Sequence, residues 1–408
     1  MGDRTGRHAP GPPRAGDRGS VGRRGARPAR ARTVRPARAG VRRGAVRAAR
    51  LRPLRGAVRR GRHPSRRHAP PVTSTRQRYA AYADRIAAVS PSYAAWARSV
   101  DDGLVALLDT VPEQQRQPEL VFAVARRLGA DPSDPGALYA LGREAPLLFT
   151  RALATATVQA NDPRRLGPVV PLFAALAAAA AQTGDPRPLG LVDAGAAAGL
   201  CSIPDRVTLD HRTGDATVRF ATALEEPALH LTVEVRGTVP APATVPIRIG
   251  ARVALDPAPI DAGDPDAFER LVEAVPPEAT DRTALMREAA RATLAVPPVR
   301  IRGTLPGDLD RALDALPDGV RPVVLTTGTL VYVPGADRQR VVDRLRERRV
   351  HWIALERTGI LGGVAATLPD DVDPSDPDAF ATVSLDGVAL AVCDPFGLRV
   401  RWFRRPLA

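Results

Sequence analysis

From Pro188 onward the chain is predicted to be an α/β fold with a mostly parallel sheet, and three observations lead there. Short β-rich runs alternate with helical stretches after Gly184, as in sheets covered by helices. The first run, Leu191-Val-Asp-Ala194, passes into a small-residue turn, Gly195-Ala-Ala-Ala-Gly199, which is expected to enter a helix. The last two runs flank Asp386-Gly387, a two-residue turn signal, so the sheet is expected to end in an antiparallel hairpin.

The β-rich runs are, in order, Leu189–Ala194, Ile247–Leu255, Val299–Gly303, Pro322–Thr327, Val350–Leu355, Ala381–Leu385 and Val388–Cys393. Between the first and second, Ala216–Phe220 and Leu229–Val235 have their own alternation and read as an inserted β-hairpin, about residues 207–245. Ahead of the sheet, Pro and Gly separate stretches with helical spacing: Arg76–Ala88, Pro91–Val100, Pro118–Leu128, Pro135–Thr157 and Gly167–Gln182. Ser90-Pro91 supplies an N-cap followed by a first-turn proline. Residues 73–186 thus read as a helical subdomain and 187–408 as the α/β domain.

Charge is divided unevenly over the 408 residues, whose net formal charge is +15. Residues 1–70 hold 22 of the 59 basic residues and two of the 44 acids, giving that stretch +20 and leaving −5 to the rest. Every basic residue is Arg, which fits a GC-rich coding sequence better than a selected phosphate-binding surface. The first 72 residues, rich in Arg, Pro, Gly and Ala, offer too little apolar surface to offset the entropy of ordering and are expected to be disordered. They read either as a start site placed too early or as a cationic tail, and a nucleic-acid partner is implied only in the second case. The two cysteines, Cys201 and Cys393, have no metal-type spacing and suit a reducing cytoplasm. The most apolar run, Leu172–Ala181, falls short of the roughly 20 residues that span a bilayer, so no membrane segment is expected.

The glycine loop is the motif with chemical content. Glycine lets a backbone approach a ligand closely, and ligands of open α/β sheets bind at the carboxyl ends of the strands. The spacing lacks the third glycine of the dinucleotide fingerprint, which disfavours NAD. The pattern fits a Rossmann-type domain of the class I methyltransferase-like kind, with a nucleotide-like small molecule as ligand. A small-residue turn also serves tight packing of helix on strand, and that reading stays open.

Arg78-Tyr-Ala-Ala-Tyr-Ala83, Ser90-Pro-Ser-Tyr93, Arg116-Gln-Pro-Glu-Leu120, the Val192–Leu200 loop and Leu255-Asp-Pro-Ala-Pro-Ile-Asp261 carry a resemblance, as do Leu330-Val-Tyr-Val-Pro334, His351-Trp-Ile-Ala-Leu-Glu356 and Ala391-Val-Cys-Asp-Pro-Phe-Gly397. From about Arg76 the chain resembles DUF2332, an uncharacterised bacterial family frequent in actinobacteria. That family's loop is similar to motif I of S-adenosylmethionine-dependent methyltransferases. The resemblance implies S-adenosylmethionine as cofactor, with Asp193 accepting from its amino group, Gly195, Ala197 and Gly199 leaving room for its methionine portion, and Asp256 accepting both ribose hydroxyls. Glu356, at the end of the fifth run, is the candidate catalytic residue that contacts an acceptor or takes its proton. Asp256 also reads as a turn residue before Pro257, and Glu356 as a helix-capping or solvated carboxylate.

Departures from the pattern favour a second class of function, a non-catalytic ligand-binding or interaction protein with a degenerate pocket. Gly303-Thr304 stands where Gly-Asp contacts adenine, Ala197-Ala-Gly-Leu-Cys201 replaces Ser-Ala-Gly-Leu-Asn, and Thr326-Thr327 replaces a His-Thr pair. His351, His211 and His230 share no metal-ligand spacing. The methyl acceptor and the oligomeric state are not encoded in any motif.

Overall fold

The computed structural model describes residues 74–156, 161–220, 228–242 and 245–404. The expectations for residues 1–72 lie outside them. The described residues belong to the unit Pro70–Ala408.

Among the described residues seven α-helices come first: α1 Thr75–Ile86, α2 Pro91–Arg98, α3 Asp102–Leu108, α4 Pro118–Arg127, α5 Ala137–Glu144, α6 Pro146–Thr155 and α7 Leu166–Gln182. Local chemistry sets their ends. Ser74 and Gln77 form a reciprocal capping box at α1, Ser90 accepts from Tyr93 N–H at α2, and Asp101 accepts from Leu104 N–H at α3. One continuous helix was expected over Pro135–Thr157; Pro146 splits it, because proline forces the preceding residue out of helical geometry and Ala145 sits at φ −132°, ψ 48°. Tyr79, Tyr82, Tyr93, Trp96 and Phe122 form the centre of this layer, with ring centroids 4.9–5.9 Å apart.

Eleven strands follow among the described residues: β1 Leu189–Ala194, β2 Val207–Thr213, β3 Ala216–Phe220, β4 Leu229–Gly237, β5 Ile249–Asp256, β6 Val299–Arg302, β7 Arg321–Thr327, β8 His351–Arg357, β9 Ala381–Leu385, β10 Val388–Cys393 and β11 Arg399–Trp402. They make one mostly parallel sheet in the order β3-β2-β4-β11-β10-β9-β8-β7-β1-β5-β6. Between the strands lie α8 Pro265–Val272, α9 Thr280–Ala295, α10 Leu309–Asp314, α11 Gly335–Arg348 and α12 Gly362–Ala365. Side chains alternate between the two faces, as a pleated strand requires. Leu191, Val323, Leu325, Ile353 and Leu355 join the core with α7, α8 and α9, while Val192, Val324, Trp352 and Ala354 join the core with α10, α11 and α12.

Four expectations need correction. The hairpin at Asp386-Gly387 forms, β9 against β10, but it does not end the sheet: β11 pairs with β10 and then β4 with β11. The segment 207–245 is no separate excursion. β2 and β3 form the hairpin, β4 runs parallel to β2, and together they extend the same sheet. α7, placed by sequence in the helical subdomain, packs on the sheet instead, since Leu166, Val169, Val170, Phe173 and Leu176 are all buried in its core. The stretch Pro163–Gln182 is long and apolar enough to cross a membrane, and its burial against the sheet accounts for that composition. Finally, no helix follows the glycine loop: residues 197–201 form turns that pass through a short 3-10 turn, Pro204–Arg206, into β2.

Candidate functional site

β1, β5, β6, β7 and β8 are mutually parallel, and chain order reverses between β1 and β7, which places a switch point at their carboxyl ends. Asp193, Gly195, Ala197, Gly199 and Asp256 meet there around one loop, and Glu356 lies two strands away at the end of β8.

Most of the loop's donors are bound within the protein. Gly195 N–H donates to Leu255 O at 2.7 Å, Gly199 N–H to Ala196 O at 2.7 Å, and Leu200 N–H to Asn161 Oδ1 at 2.7 Å. Ala197 N–H donates to Asp256 Oδ2 at 2.9 Å, and Asp256 Oδ1 accepts from Ala258 N–H at 2.8 Å. Both Asp256 oxygens, expected to face a ribose, therefore hold backbone of their own loop and turn. Asp193 is wholly buried; its Oδ2 accepts from Ser202 Oγ at 2.8 Å, while Oδ1 has no hydrogen-bond partner. Burial, against the Ser202 bond and with the Asp256 charge nearby, raises its pKa to about 7.

Gly195 has φ +85°, and a Cβ at that position would run into the Thr329 side chain. Thr329 thus fills the space beside the glycine. Its Oγ1 donates to Ala194 O at 2.8 Å, which ties the β7 loop to the end of β1. Glu356 fixes the same loop from the other side, with Oε1 accepting from Thr329 N–H and Oε2 from Leu330 N–H, each at 3.1 Å. It caps the 3-10 turn Leu330–Tyr332, and burial, opposed by these bonds, raises its pKa to about 7. At the end of β6, Asp308 Oδ2 accepts from Thr304 N–H at 2.8 Å, so the acid that follows Gly303-Thr304 is turned onto its own loop. A cavity of about 10 Å³, room for about one water, lies between Ala197, Ala254, Ile260, Thr293, Pro298 and Arg300.

A second group of polar residues stands at the same strand ends. Asp162 is buried and paired with Arg164 at 2.7 Å and Arg282 at 3.0 Å. Arg165, next in sequence, donates through Nη1 to Thr327 O at 2.5 Å, and its guanidinium occupies the space a Cβ on Gly328 would need. Among the described residues it has no carboxylate within ion-pair distance. Sequence reasoning missed Asn161, Arg165, Ser202 and Thr329; Asn161-Asp162-Pro163 read only as a turn, and nothing local linked it to the glycine loop 39 residues on.

The family model described as an uncharacterized protein conserved in bacteria (DUF2332) matches residues 142–402, more than half of the chain. The chain belongs to the DUF2332 family. No curated protein and no solved structure matched it. In this DUF2332 member the matched segment runs from α5 to β11, so it includes the whole sheet, the glycine loop, Arg165, Thr329 and Glu356. Arg78–Ala83, Ser90–Tyr93 and Arg116–Leu120 precede it.

The three histidines among the described residues are held singly. His351 Nδ1 lies 2.9 Å from Asp386 Oδ2 and His230 Nε2 2.8 Å from Asp210 Oδ2, while His211 is buried beside Phe220 and Trp402. Among the described residues no group of three or more His, Cys, Asp or Glu is placed to hold a metal.

Proposed function

We propose that this DUF2332 protein is a non-catalytic ligand-binding protein on a Rossmann-type, methyltransferase-like scaffold, with the glycine loop serving as a brace. The run β6-β5-β1-β7-β8, with its switch point between β1 and β7, supports the scaffold. The missing helix after the loop and the antiparallel β9 directly beside β8 set it apart from a standard cofactor-binding half.

The observation that carries the reading is the Thr329 side chain packed against Gly195 and bonded to Ala194 O. S-adenosylmethionine does not fit the residues present. Its methionine portion needs the space that Thr329 fills, its ribose needs the Asp256 oxygens that hold Ala197 and Ala258, and the Gly195, Ala197, Gly199 and Leu200 amides are paired. Opening the loop exposes these donors and acceptors without partners, at about 1–3 kcal/mol for each buried group. No transfer step is therefore assigned to Glu356, whose two oxygens are committed to backbone. A binding role remains open to the strand ends outside the loop, where charged side chains reach solvent.

Isothermal titration of S-adenosylmethionine into the full-length protein tests this. No heat of binding is expected at concentrations where methyltransferases saturate. Micromolar binding at one equivalent overturns the proposal and restores the cofactor reading of Asp193 and Asp256.

A further inference from the structure

The turn after β7 is tied down by several groups, and one of them differs in kind from the rest. Arg165 Nη1 donates to Thr327 O at 2.5 Å, Gly328 N–H to Leu355 O at 2.8 Å, Thr329 Oγ1 to Ala194 O at 2.8 Å, and Arg338 Nε to Leu330 O and Val333 O at 2.7 Å each. Glu356 is the acid of the set and carries two amides at once, Thr329 N–H on Oε1 and Leu330 N–H on Oε2, each at 3.1 Å. Those two amides differ in freedom. The Leu330 side chain is fully buried in the core shared with α10, α11 and α12, whereas Thr329 follows Gly328, whose φ of +69° marks a pivot that an L-residue would stiffen.

An ionised carboxylate accepts at both oxygens, but a protonated one keeps a single carbonyl oxygen and turns the other into a donor. Protonation of Glu356 therefore removes one of its two backbone bonds. Leu330 is anchored by its side chain, so the amide let go is that of Thr329. A cavity of about 10 Å³, room for about one water, lies against Glu356 and is lined also by Arg357, Leu361, Val364, Thr382 and Ser384. A water there accepts from the new hydroxyl. The charged and titratable groups around the carboxyl are Arg165 ahead of α7, Arg357 on β8 and Tyr332 on the turn, while β9 and α12 face it with the uncharged Thr382, Ser384 and Val364. Burial outweighs the two amide bonds, the Thr326 hydroxyl and the Arg165 charge, and the group titrates at about 7.

We propose that Glu356 is a proton-operated latch on the brace: ionised, it pins Thr329 beside Gly195, and protonated, it keeps Leu330 and releases Thr329, which opens the space beside the glycine. The inference rests on the reading of Thr329 as the filler of that space. Local and global stability then move in opposite directions with pH. Unfolding puts Glu356 in water, where its pKa falls to about 4, so acidification from about 7 toward 4 stabilises the chain as a whole. Release of Thr329 alone leaves the carboxyl buried and short of an amide that favours its charged form. Its pKa then rises further, and acidification through about 7 favours release.

Residue-resolved amide exchange of the full-length protein, at about pH 6 and about pH 8 and corrected for base catalysis of exchange, tests the latch. The opening equilibrium at Thr329 is expected to rise about five- to tenfold at the lower pH, as for the loss of a charge-assisted bond, while Leu330 and the amides of β1 and β8 open no more readily. E356Q, which keeps one acceptor oxygen at every pH, is expected to leave Thr329 at the low-pH level throughout. If E356Q does not fold, the wild type alone decides, because a global effect of acid moves Thr329 together with the strand amides and toward slower opening. Equal opening of Thr329 at the two pH values, or the wild-type pH profile in E356Q, overturns the latch. Either result without S-adenosylmethionine binding leaves the brace in place and ungated, whereas S-adenosylmethionine binding removes the brace on which the latch rests.

Discussion

The glycine loop and the Arg165 turn lie at the ends of the same strands and treat their polar groups in opposite ways. In the loop, amides of Gly195, Ala197, Gly199 and Leu200 all donate inward, and Asp256 and Glu356 spend both carboxylate oxygens on backbone. At the turn, the Arg165 guanidinium has a single hydrogen bond among the described residues, to Thr327 O. The lesson is that residue types capable of binding a ligand do so only where their donors and acceptors are not already used by the fold. Glycine, aspartate and a strand end make a cradle or a brace from the same letters.

The contrast is broken most severely by Gly195→Ala. The left-handed backbone costs about 1–2 kcal/mol for an L-residue, and contact with Thr329 adds overpacking of about 1–3 kcal/mol. Urea unfolding is expected to show a loss near the sum of these, partly recovered in the double variant with Thr329→Ala, which removes the Oγ1 and Cγ2 that a Cβ on Gly195 meets first. An open cradle instead tolerates Gly195→Ala with only the backbone term, and Thr329→Ala does not rescue it.

Asp256→Ala comes next. It leaves Ala197 and Ala258 amides without their carboxylate, and a loss of roughly 2–4 kcal/mol is expected from two orphaned donors. A ribose-binding aspartate is dispensable for stability, so an unchanged urea midpoint contradicts the brace.

The dependence on pH tests the two raised carboxyls. Asp193 and Glu356 titrate at about 7 in the folded chain, against about 4 when unfolded. Between those values the folded state holds more protons, so stability falls as pH rises from about 4 to about 7 and is flat above. Asp185 and Asp210, depressed to about 2, act in the opposite sense and only below about 4, where their stabilisation is lost as pH falls. Asp193→Asn keeps an acceptor for Ser202 and removes one of the two raised groups. Its slope between pH 4 and 7 is expected to be shallower, by on the order of 4 kcal/mol over the window; an unchanged slope contradicts the burial of that charge.

The smallest effect is expected from Ala197→Gly. Ala197 holds φ +47° within the loop. Relief of that strain exceeds the added unfolded-state entropy by about 0.5 kcal/mol, and a small gain in melting temperature checks it.

Much of the sheet was legible because its signals are local. Leu189–Ala194, Ala381–Leu385 and Val388–Cys393 are strands with the bounds read from sequence, each being an apolar run between turn residues. What failed depends on distant partners. β11 is only four residues, Arg399–Trp402, and becomes a strand by pairing with β10 and with β4, over 160 residues earlier. In place of the helix expected after Gly199, the chain turns: Asn161 accepts from Leu200 N–H, and Ser202 Oγ donates back to Asp193 on β1. Of the six residues the sequence singled out, five meet around the glycine loop and Glu356 stands two strands away. It did not show that Thr329, 134 residues beyond Gly195, stands in the space the glycine leaves, nor that Arg165 lies across from it at Thr327 O.

Hydrogen–deuterium exchange across Gly195–Ser202 in the full-length protein, with and without S-adenosylmethionine, asks most directly whether the loop is a brace. Slow exchange comparable with β1 and β7, unchanged by S-adenosylmethionine, is expected from amides bonded within the protein. Rapid exchange in the free protein, slowed on addition of S-adenosylmethionine, contradicts a closed loop and returns it to the role of a cofactor cradle.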